Sequence, residues 1–303
     1  MLGLEFSQRL LFVTGKGGTG KSFLSSVLAV RYSQLGKKVL VVDAEATGMI
    51  AEYFENESIG YQPVEVAENI FVIQLSTDDA LSEYLQLNAK IPTWAKITPL
   101  ARLIDLVSNA APGVKEILVT GKICYEAKQM LAGENDYDII IVDAPSSGHV
   151  ISLLDAPRAL AELVTRGMIQ TQTKWMQEIL EDDEITGTLV VTTSDDVVLS
   201  ETHELIANIE NKTEVGIIGV VINKDIADLG SDPGKIAVEK TQNKRIDEIR
   251  QYYSSSIEKA RKLANDFENF PLYAMPLIGE TQSTLRSLMK NAARFTKVKN
   301  GES

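Results

Sequence analysis

The segment "GKGGTGKS", residues 15–22, contains the residue types that bind phosphate groups. It follows the apolar run "LLFV", precedes a helical pattern, and matches the spacing G-x-x-x-x-G-K-[ST]. The glycines let backbone N–H groups converge on phosphate oxygens, Lys21 would reach the β- and γ-phosphates, and Ser22 would ligate Mg²⁺. We therefore predict that ATP–Mg²⁺ binds here, through Gly15, Lys16, Gly17, Gly18, Thr19, Gly20, Lys21 and Ser22.

Carboxylates at the ends of apolar runs could act on a bound nucleotide. The second run ends in Asp43, with Glu45 two residues later, and either could position the attacking water. Glu45 is the preferred candidate, and Asp43 could instead cap the following segment. The run "IIIV" ends in Asp143, which would hold Mg²⁺ through water, so the predicted metal site is Ser22 with Asp143.

Gly148 and His149, which follow Asp143 in the chain, could respond to the nucleotide. Gly148 is flexible enough to move close to the γ-phosphate as a switch hinge. His149, one of two histidines, could sense the nucleotide state or make an ordinary structural hydrogen bond.

Buried strands must carry these residues to one edge of a sheet. Apolar runs without polar alternation suit strands buried on both faces of a parallel sheet, and helical patterns separate most of them. We therefore predict an α/β fold with a doubly wound, mainly parallel sheet and helical insertions. The runs are Leu10–Val13, Val39–Val42, Ile70–Leu75, Ile139–Val142, Thr188–Val191 and Ile217–Ile222.

No Pro/Gly/Ser-rich linker divides the 303 residues, which predicts one nucleotide-binding domain over 1–303. Two stretches do not fit a simple strand–helix unit, namely a helical insertion at about 76–133 and a charged loop and helix at about 225–266. A helical segment at about 155–182 follows the predicted switch.

Composition restricts the partners and the compartment. The chain has 42 Asp and Glu against 30 Lys and Arg, a net charge of −12, so we expect no nucleic-acid partner. A single cysteine, Cys124, fits a reducing compartment. No apolar run reaches the roughly 18 residues that span a bilayer, and the start "MLGLEFSQRLLFVTG" lacks signal-peptide features, which predicts a cytoplasmic protein.

Lys16 distinguishes this loop from most phosphate-binding loops. The form G-K-G-G-x-G-K-[ST] resembles the deviant Walker A class, which includes MinD, ParA, the nitrogenase iron protein, ArsA and the tail-anchored-protein targeting ATPase. The resemblance implies that Lys16 reaches the nucleotide of a second subunit and offsets charge on the transferring phosphate, as an arginine finger does. The alternative is a solvated loop lysine.

Later segments narrow the resemblance to the ArsA and tail-anchored-protein targeting branch. "DAPSSGHVISLLDAP" resembles D-T-A-P-T-G-H-T-L-R-x-L-x-x-P, and "VTTSDDVVLSETHEL" resembles V-T-x-P-E-x-x-x-x-E-T-x-R. "VVINK" and "YAMPLIGE" resemble V-V-N-[QK] and x-M-P-L-x-x-G-E. The similarity covers about 10–50, 135–225 and 270–285, and it implies a P-loop NTPase fold of the SIMIBI type.

The same resemblance assigns the base-binding residues. It implies that Asn223 reads the adenine edge and that Met275 and Pro276 pack against the base. The chain departs from the pattern at Glu45, where the class usually has aspartate, and at Ala46, where it usually has proline. The longer side chain of Glu45 could still bring a carboxylate near the γ-phosphate.

The cysteine count excludes two metal chemistries of this branch. ArsA binds arsenite or antimonite through three thiolates, which Cys124 alone cannot supply. The eukaryotic targeting ATPase holds zinc with a C-x-x-C from each subunit, and the matching stretch at about 228–245 has no cysteine. We therefore expect no zinc, and a nucleotide-controlled dimer with an identical chain or a paralogous ATPase.

The helical stretches 76–133 and 155–182 match the region that forms the methionine-rich client groove in the targeting ATPase. Their large apolar residues could be ordinary core or dimer contacts, or could form a surface for a client. These residues are Trp94, Met130, Met168, Ile169, Trp175, Met176 and Ile179.

The leading hypothesis is an ArsA-like dimeric ATPase that couples Mg-ATP hydrolysis to opening and closing of the dimer on an unidentified partner. The first alternative is a nucleotide-gated chaperone or adaptor with low turnover for an apolar or membrane-protein client. The second is a positioning ATPase like ParA or MinD, which the acidic charge disfavours.

Overall fold

The computed structural model describes residues 6–89, 113–163, 166–225, 266–276 and 285–297. Its strands are β1 (Leu10–Gly15), β2 (Val39–Asp43), β3 (Val64–Ala67), β4 (Ile70–Gln74), β5 (Ile139–Ser146), β6 (Thr186–Thr192), β7 (Ile217–Asp225), β8 (Leu272–Pro276) and β9 (Thr296–Lys297). Its helices are α1 (Lys21–Gln34), α2 (Met49–Tyr53), α3 (Thr77–Ala89), α4 (Val114–Ala132), α5 (Ser147–Leu163), α6 (Met168–Leu180), α7 (Asp196–Lys212) and α8 (Leu285–Ala292).

The strands form one sheet in the order β3-β4-β2-β5-β1-β6-β7-β8-β9. The strands from β4 to β8 run parallel, and only β3 and β9, at the two edges, run antiparallel to their neighbours. The chain builds β2 and β4 on one side of β1, then crosses after β5 to build β6, β7 and β8 on the other side. Ligands of such sheets bind at the carboxyl end of this switch point, where β1 meets the glycine-rich loop.

The structure confirms the predicted fold class. All six apolar runs are strands of the parallel part of the sheet, namely β1, β2, β4, β5, β6 and β7. The sequence did not predict β3, β8 and β9 as strands. These strands have two to five residues, and β3 and β9 lie at the edges, where polar residues remain in contact with water and interrupt the apolar pattern.

Alternating side chains of each central strand enter two separate cores. Leu10 and Phe12 of β1 face a core that α4, α5, α6 and α7 cover, whereas Leu11 and Val13 face one that α1, α2 and α8 cover. Each of these side chains is fully buried, which explains why the runs lack polar alternation. Packing on both faces thus holds the sheet rigid, and this fixes the positions of the residues at its carboxyl edge.

The large apolar residues of the helical stretches lie in or against the core wherever their side chains are described. Met130, Met176 and Ile179 are buried in the core beneath α4, α5, α6 and α7, and Trp175 packs against that core. Trp94 and the side chains of Met168 and Ile169 lie outside the described part of the chain.

The predicted insertion at 76–133 is described at its two ends, as α3 and α4. The charged stretch at 225–266 falls almost wholly outside the described residues. Across the described ranges, no helix combines the length and the apolar character needed to cross a bilayer.

Candidate nucleotide site

The glycine-rich loop joins β1 to α1 and leaves the first amides of α1 available to a ligand. Gly20 caps α1 without a side-chain hydrogen bond, and the first turn of this helix has no acidic residue. Thr19 is buried, and its hydroxyl donates a 2.8 Å hydrogen bond to the carbonyl of Lys16, which closes the loop on itself. The free N–H groups and the helix dipole therefore make this end of α1 suitable for phosphate.

The end of β7 fastens the loop from the side. The amide nitrogen of Asn223 donates to the carbonyl of Thr19 at 2.7 Å, and the ammonium of Lys224 donates to the carbonyl of Gly18 at 3.0 Å. The amide oxygen of Asn223 accepts from the backbone N–H of Lys224 at 2.8 Å. One N–H and one lone pair of Asn223 remain for the adenine edge that the sequence assigned to it. Sequence reasoning missed Lys224, whose only signal is its place directly after Asn223.

The contact between Asn223 and the loop makes Gly20 sensitive to substitution. A Cβ at Gly20 would lie 2.1 Å from the amide nitrogen of Asn223, and its φ of +94° is unfavourable for residues with a side chain. We expect Gly20→Ala to lower the free energy of unfolding of the nucleotide-free protein by about 1–3 kcal/mol. Urea denaturation measures this change.

Gly17 provides the matched control within the same loop. No protein atom lies within 4 Å of a Cβ placed there, and its backbone lies outside the left-handed region. Gly17→Ala should therefore stay within about 0.5 kcal/mol of the parent. Equal stability of the two variants would show that the packing of Asn223 against Gly20 is unimportant.

Lys21, Ser22 and Asp143 meet at the carboxyl edge of the sheet. Asp143 is 5% exposed, and Ser25 donates a 3.3 Å hydrogen bond to its carboxylate. The pKa of Asp143 is raised to about 7, mainly by burial and also by the charge of Asp43, although Ser22, Lys21 and Ser25 oppose the rise. Burial lowers the pKa of Lys21, against the attraction of Asp143 and Glu45.

The donor set at Asp143 fits Mg²⁺. This ion prefers oxygen ligands and usually takes one or two carboxylates together with water and phosphate oxygens. Asp143 supplies a buried carboxylate beside the Ser22 hydroxyl, and a nearby cation would favour its ionised form. In the described ranges, no group of three or more His, Cys, Asp or Glu side chains could hold a metal.

The two candidates for positioning water occupy different environments. Asp43 is buried, and its carboxylate accepts hydrogen bonds from the backbone N–H groups of Thr47 and Gly48, both at 3.2 Å. Its carboxylate therefore fixes the loop after β2, as in the capping alternative. Glu45 lies exposed in this loop, close enough to Lys21 to raise the pKa of that lysine. Ala46 has a φ of +52°, which a proline could not adopt.

The other predicted residues lie on two different elements, Gly148 and His149 on α5 and Met275 and Pro276 on β8. Gly148 and His149 are exposed in the first turn of α5, which follows β5 without an intervening loop. Met275 is fully buried in the core beneath α1, so in this arrangement its side chain has no surface for a base. Pro276 is the last residue of β8 and remains as the candidate of that pair.

Lys16 has a different environment from Lys21, although both belong to one loop. Its ammonium forms an ion pair with Glu201 of α7 in the same chain. The side chains are 32% and 39% exposed, respectively, so this pair lies at the rim of the site. Sequence reasoning did not single out Glu201, because nothing in the local pattern indicates a contact between residues 185 positions apart.

Several known proteins are similar to this chain in sequence. ATPase BagA from Mycobacterium tuberculosis is 29% identical over 224 residues, which cover 72% of this chain and 65% of BagA, less than two thirds of that protein. The arsenical pump-driving ATPase from Escherichia coli is 28% identical over 169 residues, 53% of this chain and 27% of that protein. ATPase get3 from Schizosaccharomyces japonicus is 23% identical over 285 residues, 82% of this chain and 85% of that protein.

A family model also matches this chain, over a longer stretch of its sequence than these three proteins do. The model described as anion-transporting ATPase matches residues 8–176 and 168–280, far more than half of the 303 residues. It spans the loop at 15–22, Asp143 and Asn223, and it confirms the resemblance drawn from the motifs. The chain belongs to the anion-transporting ATPase family.

Proposed function

We propose that this chain is a Mg²⁺-dependent ATPase that works as a dimer and couples hydrolysis to opening and closing of that dimer on a partner. The convergence of Lys21, Ser22 and Asp143 at the end of β1 and β5 is the observation that carries the proposal. A buried carboxyl with a raised pKa and a lysine with a lowered pKa are unfavourable without a ligand. Both are relieved by Mg²⁺ and triphosphate.

Each residue has a distinct role in this proposal. Lys21 and the amides of the loop bind the β- and γ-phosphates, and Ser22 with Asp143 hold Mg²⁺, which neutralises charge that develops on the phosphates. Glu45 orients the attacking water, because it is exposed beside Lys21 while Asp43 is engaged with its own loop. Asn223 reads adenine with its remaining N–H.

The dimer in this proposal is completed by Lys16. Its half-exposed position at the rim allows it to reach a nucleotide in a second subunit, as the family resemblance implies. The second subunit is an identical chain or a paralogous ATPase.

Two measurements on the purified chain test this function. Phosphate release should require both ATP and Mg²⁺, and sedimentation velocity should show a shift to dimer with Mg-ADP and aluminium fluoride. EDTA provides the control, because it removes Mg²⁺ without changing the protein. Absence of hydrolysis despite ATP binding would contradict the enzymatic part, and a persistent monomer would contradict a homodimer.

A cavity between α3, α4, α5 and α6 favours a second function, a nucleotide-gated adaptor for an apolar client. The cavity has a volume of about 510 Å³ and mostly apolar walls. Helix α5 begins at Ser147, beside Gly148, and Leu160 of the same helix lines the cavity, so a switch movement would be transmitted to it. Other lining residues include Leu81, Ile117, Leu118, Trp175 and Met176.

Turnover separates this adaptor from the ATPase. Calorimetry of ATP binding, combined with phosphate release under the same conditions, gives affinity and turnover for one preparation. Tight binding with very slow release supports the adaptor. Release on the scale of typical enzymes, about 1 per second or faster, contradicts it.

A further inference from the structure

The ion pair between Lys16 and Glu201 conflicts with the role proposed for Lys16. In the proposed function, Lys16 turns its ammonium away from its own chain and toward the nucleotide of a second subunit. Within one subunit, however, the ammonium of Lys16 contacts the carboxylate of Glu201. The contact must therefore break when the dimer closes.

Glu201 is held on a rigid part of the molecule. Helix α7 begins at a cap, where the carboxylate of Asp195 accepts hydrogen bonds from the N–H groups of Val197 at 3.0 Å and Val198 at 3.3 Å. The next residue after Glu201, Thr202, is buried and donates a 2.9 Å hydrogen bond to Thr192 at the end of β6. The backbone that carries Glu201 is thus tied to the sheet beside the phosphate loop.

Lys16, in contrast, carries its ammonium at the end of a long flexible side chain. The loop that bears it is fixed at Thr19 by Asn223 and at Gly18 by Lys224, so the side chain can move while the loop stays in place. Release of Lys16 then requires only rotation of its side chain away from a fixed acceptor.

We propose that Glu201 is a positioning residue that retains Lys16 in its own subunit and releases it only when a second nucleotide-loaded subunit supplies a stronger anion. The inference rests on the proposed dimeric function and adds a control to it. The triphosphate bound to the second subunit carries several negative charges, whereas Glu201 carries one. The triphosphate therefore attracts the ammonium of Lys16 more strongly than Glu201 does. Glu201 thereby disfavours dimers that lack nucleotide.

The variant Glu201→Gln removes the charge and keeps the size of the side chain. A partly exposed ion pair contributes a factor of about 1.4–5 to an equilibrium, and a homodimer breaks two of them, so dimers should form about 2- to 30-fold more tightly. Sedimentation velocity with the Mg²⁺ complex of β,γ-imido-ATP measures the dissociation constant. Glu204→Gln is the matched control, since Glu204 is exposed on the same helix and loses the same charge.

A double-mutant cycle identifies Lys16 as the target of Glu201. In a Lys16→Ala background, Glu201→Gln should leave the dissociation constant unchanged within twofold, because no ammonium remains to be released. A charge effect unrelated to Lys16 would persist in that background and would overturn the proposal. The proposal would also be overturned if Glu201→Gln dimers had a dissociation constant no lower than that of Glu204→Gln dimers.

A second readout works without any dimer. Acetylation of Lys16 by an N-hydroxysuccinimide ester, followed by mass spectrometry of the nucleotide-free protein, should be faster in Glu201→Gln than in the parent and in Glu204→Gln. Unchanged acetylation would refute retention of Lys16 by Glu201. If acetylation responds but the parent never dimerises with nucleotide, the proposed dimeric function fails, and the control by Glu201 fails with it, although the ion pair itself stands.

Discussion

Lys21→Ala should reduce ATP hydrolysis at least about 100-fold, the largest loss that we expect from any single substitution in the phosphate loop. In the proposed function its ammonium binds the β- and γ-phosphates, and loss of one such stabilising group typically costs about 10²–10³ in rate. Burial lowers the pKa of Lys21, so the nucleotide-free variant should be no less stable than the parent. Phosphate release, calorimetry and urea denaturation measure the three properties.

Two comparisons make this result specific. Lys37→Ala removes an exposed lysine just after α1 and should hydrolyse ATP like the parent. Lys16→Ala should retain ATP binding but lose most hydrolysis if, as we propose, its ammonium acts on the nucleotide of a second subunit. If Lys16→Ala hydrolyses ATP normally and Lys21→Ala does not, the role of Lys16 across the dimer is wrong and Lys21 keeps its role. If Lys21→Ala is also normal, the assigned site is wrong.

Asp143→Asn should nearly abolish Mg²⁺-dependent hydrolysis and yet stabilise the nucleotide-free protein. The amide is a poorer Mg²⁺ ligand than the carboxylate, so we expect a rate loss of about 100-fold or more. Burial raises the pKa of Asp143 from 3.8 to about 7, which means that the folded state disfavours its ionised form. This difference in pKa corresponds to a loss of folding stability of at most about 4 kcal/mol in the parent. Asp143→Asn would avoid that loss above pH 7.

The sign of the pH dependence follows from that raised pKa. Below about pH 4 the carboxyl is protonated in both folded and unfolded chains, and the variant has no advantage from this source. Between about pH 4 and 7 the carboxyl ionises in the unfolded chain but stays protonated in the folded one, so the stability of the parent falls relative to Asp143→Asn, and the difference levels off above about pH 7. Urea denaturation in EDTA at several pH values measures this difference.

An exposed aspartate supplies the control for Asp143. Asp78→Asn removes a charge at the start of α3, far along the chain from the phosphate loop, and should show no such growth of stability with pH. A constant difference between Asp143→Asn and the parent from pH 4 to 8 would contradict the raised pKa. Normal Mg²⁺-dependent hydrolysis by Asp143→Asn would contradict its role as a ligand.

Local sequence was sufficient for six strands of the parallel part of the sheet and for the glycine-rich loop. The six predicted runs became strands because each is buried on both faces, and such burial leaves an uninterrupted apolar pattern in the sequence. The loop at 15–22 was recognisable because its glycines, Lys21 and Ser22 stand at the spacing of a known phosphate-binding pattern. Asp143 was recognisable for a similar reason, since it directly follows four aliphatic residues.

The roles of neighbouring charged residues could not be separated in this way. Asp43 and Glu45 are two positions apart, and both could act on water as far as the sequence goes. Only the fold brings the N–H groups of Thr47 and Gly48 onto Asp43 and leaves Glu45 exposed. Ala46, which directly follows Glu45 in the loop after β2, has a φ of +52°.

The sequence by itself determined the fold class, the family and the residues of the phosphate loop, because these depend on residues close together in the chain. Only the tertiary structure decided which residues surround the loop. Lys16 meets Glu201 and Gly20 meets Asn223 across about 200 residues, through the adjacency of β1, β6 and β7 in the sheet. Such contacts leave no local pattern, since strand order brings together segments that are unrelated in sequence.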